Sequence, residues 1–210
     1  SRMTLYFSVG SETTSLTTDD LRDALKQTFD AIKRPERVLL LPPDATRLFS
    51  RAGELTVLCH ELLGDRVKDI MPALGTHTPM KPAQLDHMFP GVPHDLFRPH
   101  RWREDVVELG QVPADFVSEV TGGIYTKSWP AQVNKMLRDG GHDLIFSLGQ
   151  VVPHEVIGMA NYNKNVFVGT GGVSGINESH YLSAMVGIDE TLGIADTPLR
   201  KILNYASDHF

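Results

Sequence analysis

Four side chains with ring or amine nitrogens stand out by type and spacing: His77, His154, Lys164 and His180. Imidazole titrates near neutral pH, so His77 and His154 are candidate general bases. His77 sits in Leu74-Gly-Thr-His-Thr-Pro79, where glycine permits a sharp turn or close backbone approach and proline stiffens the exit. His154 follows Val151-Val-Pro153, and proline favours a first helical turn. The sequence therefore predicts His154 at a helix N-terminus, whose dipole would keep the ring neutral and basic. Lys164, in Asn161-Tyr-Asn-Lys-Asn165, would by itself be a solvated turn residue, and each histidine could equally be structural. Their spacing gives them interest: ten residues from His154 to Lys164 and sixteen from Lys164 to His180, around Gly169-Thr-Gly-Gly172. His180 is a candidate metal ligand. One histidine is a poor metal site, and the sequence holds no His-Glu-x-x-His or Cys-x-x-Cys pattern, so an all-protein zinc cage is not expected.

Other segments offer anion chemistry. In Pro43-Asp44-Ala45-Thr46-Arg47, the guanidinium could grip a phosphate or carboxylate through two parallel bonds, although the same residues fit an Asx turn with an exposed arginine. The Gly122-Gly123 and Gly169–Gly172 stretches match neither a P-loop nor a Gly-x-Gly-x-x-Gly fingerprint, and turn or helix-entry glycine is the default. Gly171, Gly172 and Gly175 could still open a helix N-terminus towards a phosphate. Cys59 is the one cysteine; within Leu55–Leu63 it reads as a small buried hydrophobe, and no intramolecular disulfide is possible.

These residues need a scaffold. Leu21, Leu25, Phe29 and Ile32 recur at helical spacing after Thr18-Asp19-Asp20 and stop before Pro35. Val38–Leu41 reads as a buried strand, 50–63 as a helix, Val67–Leu74 as a strand and Pro82–Phe89 as a short helix. Thr4–Val9, Asp105–Gly110, Phe116–Val120, Asp143–Leu148 and Asn165–Val168 also read as strands, and Pro130–Arg138 as a helix. From Asn177 onward the pattern is mostly helical, with a break at Asp196-Thr-Pro198. The predicted fold class is α/β, a mostly parallel, Rossmann-like sheet flanked by helices. Asp44–Arg47, Gly75–Pro79 and Pro153–Lys164 each follow a strand. Ligands in open α/β sheets bind beyond the carboxyl ends of the strands, so these segments are expected to share one crevice.

At 210 residues the chain suits one domain, and its 41 % hydrophobic and 22 % charged residues are ordinary for a soluble protein. A net charge of −6 argues against a general nucleic-acid or anionic-membrane surface. No apolar run reaches membrane-spanning length and no signal-peptide pattern opens the chain, so the expected location is the cytoplasm. Ser1-Arg2-Met3 looks like a remnant of expression ahead of a native start at Met3.

Taken in order, the Asp44-Ala-Thr46-Arg47 loop, the Gly75-Thr-His77-Thr-Pro79 loop and the His154, Lys164, His180 series resemble the nickel-pincer lactate racemase family. The resemblance implies racemisation or epimerisation of a small 2-hydroxy acid, such as lactate, by transient oxidation. It implies His77 and His154 as catalytic acid/base residues on opposite sides of the substrate. Lys164 would carry a nickel-pincer nucleotide, a sulfur-bearing pyridinium mononucleotide, and His180 would ligate the nickel. The pincer supplies two sulfurs and a carbon, so a single protein ligand suffices. Asp44, Thr46 and Arg47 would contact the cofactor and the substrate side of the pocket, and Gly171 and Gly172 the cofactor phosphate. His100, in a segment loosely similar to the family's Asn-His-Asp, would be peripheral. Family members carry a Gly-Gly-Arg-Lys type sequence where this chain has Asn161-Tyr162-Asn163-Lys164. The family also has a second α/β domain that closes over the cleft. Residues 4–210 would be the first domain alone, lacking half of the pocket. Two other functions fit the residues: a zinc-type hydrolase or lyase built on His77, His154 and His180, or a non-catalytic domain holding a nucleotide-like ligand.

Overall fold

The computed structural model describes residues 4–210; Ser1–Met3, read from the sequence as a remnant of expression, lie outside them. In chain order the elements are α1 (Thr18–Ala31), β1 (Val38–Leu41), α2 (Ala52–Leu63), β2 (Val67–Ile70), α3 (Pro82–Met88), β3 (Val106–Val112), α4 (Ala114–Val120), β4 (Trp129–Asn134), α5 (Lys135–Asp139), β5 (Leu144–Ser147), β6 (Pro153–His154), β7 (Gly158–Met159), α6 (Val173–Val186) and α7 (Pro198–His209).

The principal sheet is parallel, in the order β2-β1-β5. Its central strand explains why the sequence is apolar at four successive positions. Val38 and Leu40 pack with Leu25, Phe29, Leu58 and Ile70, while Leu39 and Leu41 pack on the opposite face with Met71, Leu137 and Val166. A strand covered on both faces has no solvent side to require alternation. Helix α1 begins one residue earlier than its sequence signal. Thr17 Oγ1 accepts the Asp20 N–H (3.2 Å) and the Asp20 carboxylate accepts the Thr17 N–H (2.8 Å), a reciprocal cap.

A second core lies beside the sheet. β3 and β4 pair antiparallel, and Trp129, Ala131 and Val133 of β4 are buried against Leu182 of α6 and Leu199, Ile202 and Leu203 of α7. The middle of the chain is thus an antiparallel pair apart from the parallel sheet. Among the described residues no helix is long and apolar enough to cross a membrane.

Several sequence expectations are corrected. Pro130–Arg138 is not one helix: through Asn134 it is strand, and α5 takes only Lys135–Asp139. Phe116–Val120 lies in α4, which opens directly after Pro113. Val67–Leu74 is a strand only as far as Ile70, followed by a single bridge from Ala73 to Pro43. Asn165–Val168 lies in a π-helical turn, Asn165–Gly169, closed by the Thr170 N–H on the Asn165 carbonyl at 3.0 Å. Thr4–Val9 has the alternation of a strand but is exposed and carries no ladder.

Candidate functional site

The three parallel strands release their chains towards one cavity of about 380 Å³. From β1 come Asp44, Thr46 and Arg47; from the segment after β2, Gly75 and His77; from beyond β5, His154 and Lys164; and α6 adds His180. The expected convergence at the carboxyl ends of the sheet is therefore present. Gly75 (φ +58°) adopts a backbone that suits glycine, and its N–H donates to the Gly169 carbonyl at 2.8 Å, docking the His77 loop on the π-helical turn.

His77 is oriented by Asp44. Its Nδ1 lies 2.7 Å from Asp44 Oδ2, while Asp44 Oδ1 accepts the Thr46 N–H at 3.1 Å and the Thr46 hydroxyl. Asp44 is buried and its carboxylate can only accept, so the pair places the histidine proton on Nδ1 and leaves a lone pair on Nε2. This is the geometry of a base held by a carboxylate.

His154 is set the opposite way. It lies in β6, a two-residue strand whose partner in β7 is Gly158, and not at a helix N-terminus as its proline suggested. The reason is Gly158: at φ +88° it turns the chain back, and a Cβ there would stand 1.9 Å from the Ile194 carbonyl oxygen. The Val156 N–H donates to His154 Nδ1 at 3.1 Å, so the neutral ring carries its proton on Nε2. The ring is kept neutral by burial and then by the Lys164 charge, with smaller contributions from Arg47 and His180 against the opposing pull of Glu155, which together push its pKa down to about 4. The outcome expected from a helix dipole is reached by desolvation and neighbouring cations instead.

Lys164 is half-buried and enters no ion pair among the described residues. Burial, then the Arg47 guanidinium, hold its amine below the ordinary lysine value, with Asp44 and Glu155 opposing. A partly desolvated amine of this kind is a competent nucleophile. His180 Nδ1 donates to the Ile176 carbonyl one helical turn back (2.7 Å), leaving Nε2 with its lone pair. A backbone acceptor that fixes the tautomer is typical of a ligating histidine. Arg47 also has no carboxylate partner among the described residues.

Gly171 and Gly172 do not line the cavity. A Cβ on Gly171 would stand 2.1 Å from the Phe167 carbonyl oxygen, and one on Gly172 would stand 2.4 Å from Gln132 Oε1. Gln132 also accepts the Gly175 N–H at 3.2 Å, which occupies part of the α6 N-terminus. These glycines serve close packing in the structure described. His100 is buried, its Nε2 on the Gly171 carbonyl (2.8 Å) and its Nδ1 on Asn134 (3.0 Å), a structural histidine in keeping with its peripheral rank. The zinc-type alternative finds no geometric support: no group of three His, Cys, Asp or Glu residues able to hold a metal occurs among the described residues.

Sequence reasoning missed Glu155, Asn161 and Asn165. Asn165 is buried, and its Nδ2 reaches Ser147 Oγ (3.1 Å), the Leu148 carbonyl (3.1 Å) and Asn161 Oδ1 (3.0 Å), tying the end of β5 to the Lys164 loop. The run of asparagines around Lys164 was the available signal.

Titratable groups gathered at the carboxyl ends of a parallel sheet stand where ligands bind in open α/β folds. Residues 19–192 match the lactate racemase N-terminal domain, and the chain belongs to that family. A crystallised protein from Thermotoga maritima is similar at 28 % identity and a TM-score of 0.81, over 92 % of this chain and 47 % of that one. The lactate racemase apoprotein from Thermoanaerobacterium thermosaccharolyticum shares the fold at 18 % identity and a TM-score of 0.66, over 91 % of this chain and 46 % of its own. The chain thus spans about half the length of these solved relatives. No curated protein matches it.

Proposed function

We propose that this chain is the N-terminal catalytic domain of a 2-hydroxy acid racemase or epimerase that works with a nickel-pincer nucleotide and a second domain. The observation that carries the reading is one cavity that gathers a carboxylate-oriented histidine, a neutral half-buried histidine, an amine with no ion-pair partner among the described residues and a third histidine with a free ring nitrogen. The residues fit such a group. Lys164 would hold it covalently through its amine, His180 Nε2 would meet the nickel, and Arg47 would meet an anionic group of the cofactor or the substrate carboxylate. When bound, the group would supply the hydride-transfer redox chemistry, and Lys164, His180 and Arg47 would hold it.

The chain's own residues manage the proton. His77 is ready to accept the hydroxyl proton at Nε2, because Asp44 holds Nδ1–H and stabilises the imidazolium that results. His154 rests with Nε2–H and can donate a hydrogen bond to a substrate oxygen. To act as a base there it must move its proton to Nδ1 and release the Val156 N–H. The two rings therefore start a cycle in different states, and the enantiomer whose hydroxyl faces His77 meets the prepared base.

The test is intact-mass analysis of the full-length protein made with the cofactor-producing enzymes, followed by chiral analysis of lactate. An adduct that disappears in Lys164→Ala, accompanied by loss of racemisation, is expected. An unmodified protein that takes up no nickel would favour the nucleotide-like binding domain.

A further inference from the structure

We propose that Arg200 of α7 is a positioning residue that clamps the loop carrying Lys164 and, through the same loop, the hairpin carrying His154. Arg200 does not line the cavity, yet it is 6 % exposed and forms no salt bridge with a carboxylate among the described residues. A buried cation without a counter-ion is expensive, so its retention calls for specific bonds. Its guanidinium has them: Nη1 donates to Asn163 Oδ1 at 2.6 Å and Nη2 donates to the Met159 carbonyl. The planar fork thus spans the loop from Met159 to Asn163, a bridge that a lysine ammonium cannot reproduce.

Further bonds run in parallel. Asn163 Nδ2 donates to Asn204 Oδ1 of α7 at 2.8 Å, Thr197 Oγ1 donates to the Ile157 carbonyl at 3.0 Å, and the Gly193 N–H donates to the Gly158 carbonyl at 2.8 Å. Between the two acceptors of Arg200 the chain passes through consecutive left-handed residues, Asn161 (φ 73°) and Tyr162 (φ 55°), and the Tyr162 ring lies 5.9 Å from the guanidinium. Lys164 follows Asn163 directly, and His154 pairs with Gly158 across the hairpin. One helix therefore fixes both ends of the stretch that sets the two functional groups apart. The Arg200 charge also contributes to holding the Lys164 amine below its ordinary range, behind burial and Arg47, while Asp44 and Glu155 oppose.

The functional weight of this clamp rests on Lys164 being the attachment residue, but its test does not need the cofactor. The present chain is acylated with trace acetic anhydride across a pH series, and each lysine is followed by peptide mass spectrometry. Lys164 is expected to show a midpoint below that of the half-buried Lys68, which lies outside the cavity. Arg200→Lys keeps the charge and loses the fork; Asn163→Ala keeps Arg200 and loses one acceptor. Both are expected to move the Lys164 midpoint upward, towards the ordinary 10.5, and to leave Lys68 unchanged. An Arg200→Met variant should move it furthest if it folds. If only Arg200→Met shifts the midpoint, the effect is charge alone and the proposal fails; if none does, it also fails. A clamp confirmed in this way, alongside a wild type that never gains an adduct, would retire the racemase reading and leave the clamp standing.

Discussion

The neutral state of His154 makes a quantitative prediction about stability and pH. In the unfolded chain the ring titrates at its ordinary 6.5, whereas in the folded chain burial and Lys164 hold it at about 4. Above pH 6.5 both states are neutral and the residue contributes nothing pH-dependent. As the pH falls below 6.5 the unfolded chain binds a proton that the folded chain refuses, so stability is lost until the folded ring itself protonates near pH 4. At about 1.36 kcal/mol per pH unit, the difference amounts to roughly 3 kcal/mol below pH 4, of which about 2 kcal/mol is reached at pH 5. Solvent screening at a half-buried ring reduces this, and about 1–2 kcal/mol at pH 5 is the expected effect. The assay is urea unfolding of wild type and His154→Asn from pH 7.5 to 5. Asparagine offers an Oδ1 to the Val156 N–H but does not titrate, so the difference between the two stability curves isolates the ring. It should narrow against wild type as the pH falls. In Lys164→Met, where the second cause of the shift is gone, an NMR titration should place the His154 midpoint higher than in wild type. A difference curve that stays flat from pH 7.5 to 5 would refute the reasoning, because it would mean that the folded protein accommodates an imidazolium at this position.

Three further outcomes are expected. Asp44→Asn should replace the single Nδ1–H form of His77 by a mixture of tautomers, visible in ¹⁵N shifts of the neutral ring, since an amide can present either a donor or an acceptor. Leu39→Ala should cost about 2–5 kcal/mol in urea unfolding, because the side chain is fully buried on the sheet face that backs the site. At Tyr162, glycine should give a more stable protein than valine by about 1–2 kcal/mol, the reverse of an ordinary extended position, because φ is 55° there; equal stability would argue against the left-handed backbone.

The parallel sheet was legible because its centre is buried on both faces and leaves a continuous apolar run at Val38–Leu41. Helix α1 was legible because Leu21, Leu25 and Phe29 share one face. Where the sequence misled, short runs carried two meanings. Trp129, Ala131 and Val133 alternate as a strand should, but Pro130 and the charged residues after Asn134 drew the segment towards a helix. Phe116–Val120 also alternates, yet Pro113 starts a helix whose buried Val117 faces the second core. Asn165–Val168 is apolar at only three positions, too few to separate a strand from a helical turn. Part of the site was legible for a different reason: the Asp44–Arg47 and Gly75–Pro79 loops lie beyond strands of the parallel sheet, where the fold delivers them to one place irrespective of their distance along the chain, whereas His154, Lys164 and His180 were legible from their mutual spacing and the family resemblance it carries. What no local pattern could supply were the side-chain partners, such as Asp44 on His77, 33 residues away, and Arg200 on Asn163, 37 residues away.

The Lys164 loop joins these two lessons. Asn161 and Tyr162, two non-glycine residues, would in isolation argue for an ordinary right-handed or extended backbone. The backbone is nevertheless left-handed at both positions. Asparagine tolerates that region because its short side chain can bond locally, and Asn161 Oδ1 does accept from Asn165 at 3.0 Å. Tyrosine tolerates it poorly, at a cost on the order of 1–2 kcal/mol. The conformation persists because the surroundings over-determine it: Arg200 holds the chain on either side, and Asn165 holds it from the sheet. Strain of this size is kept where a side chain must be delivered to a fixed position. Here the side chain delivered is Lys164. The loop is therefore held by a side-chain clamp in place of the backbone freedom that glycine would give, and the lysine reaches the cavity that also holds His77, His154 and His180.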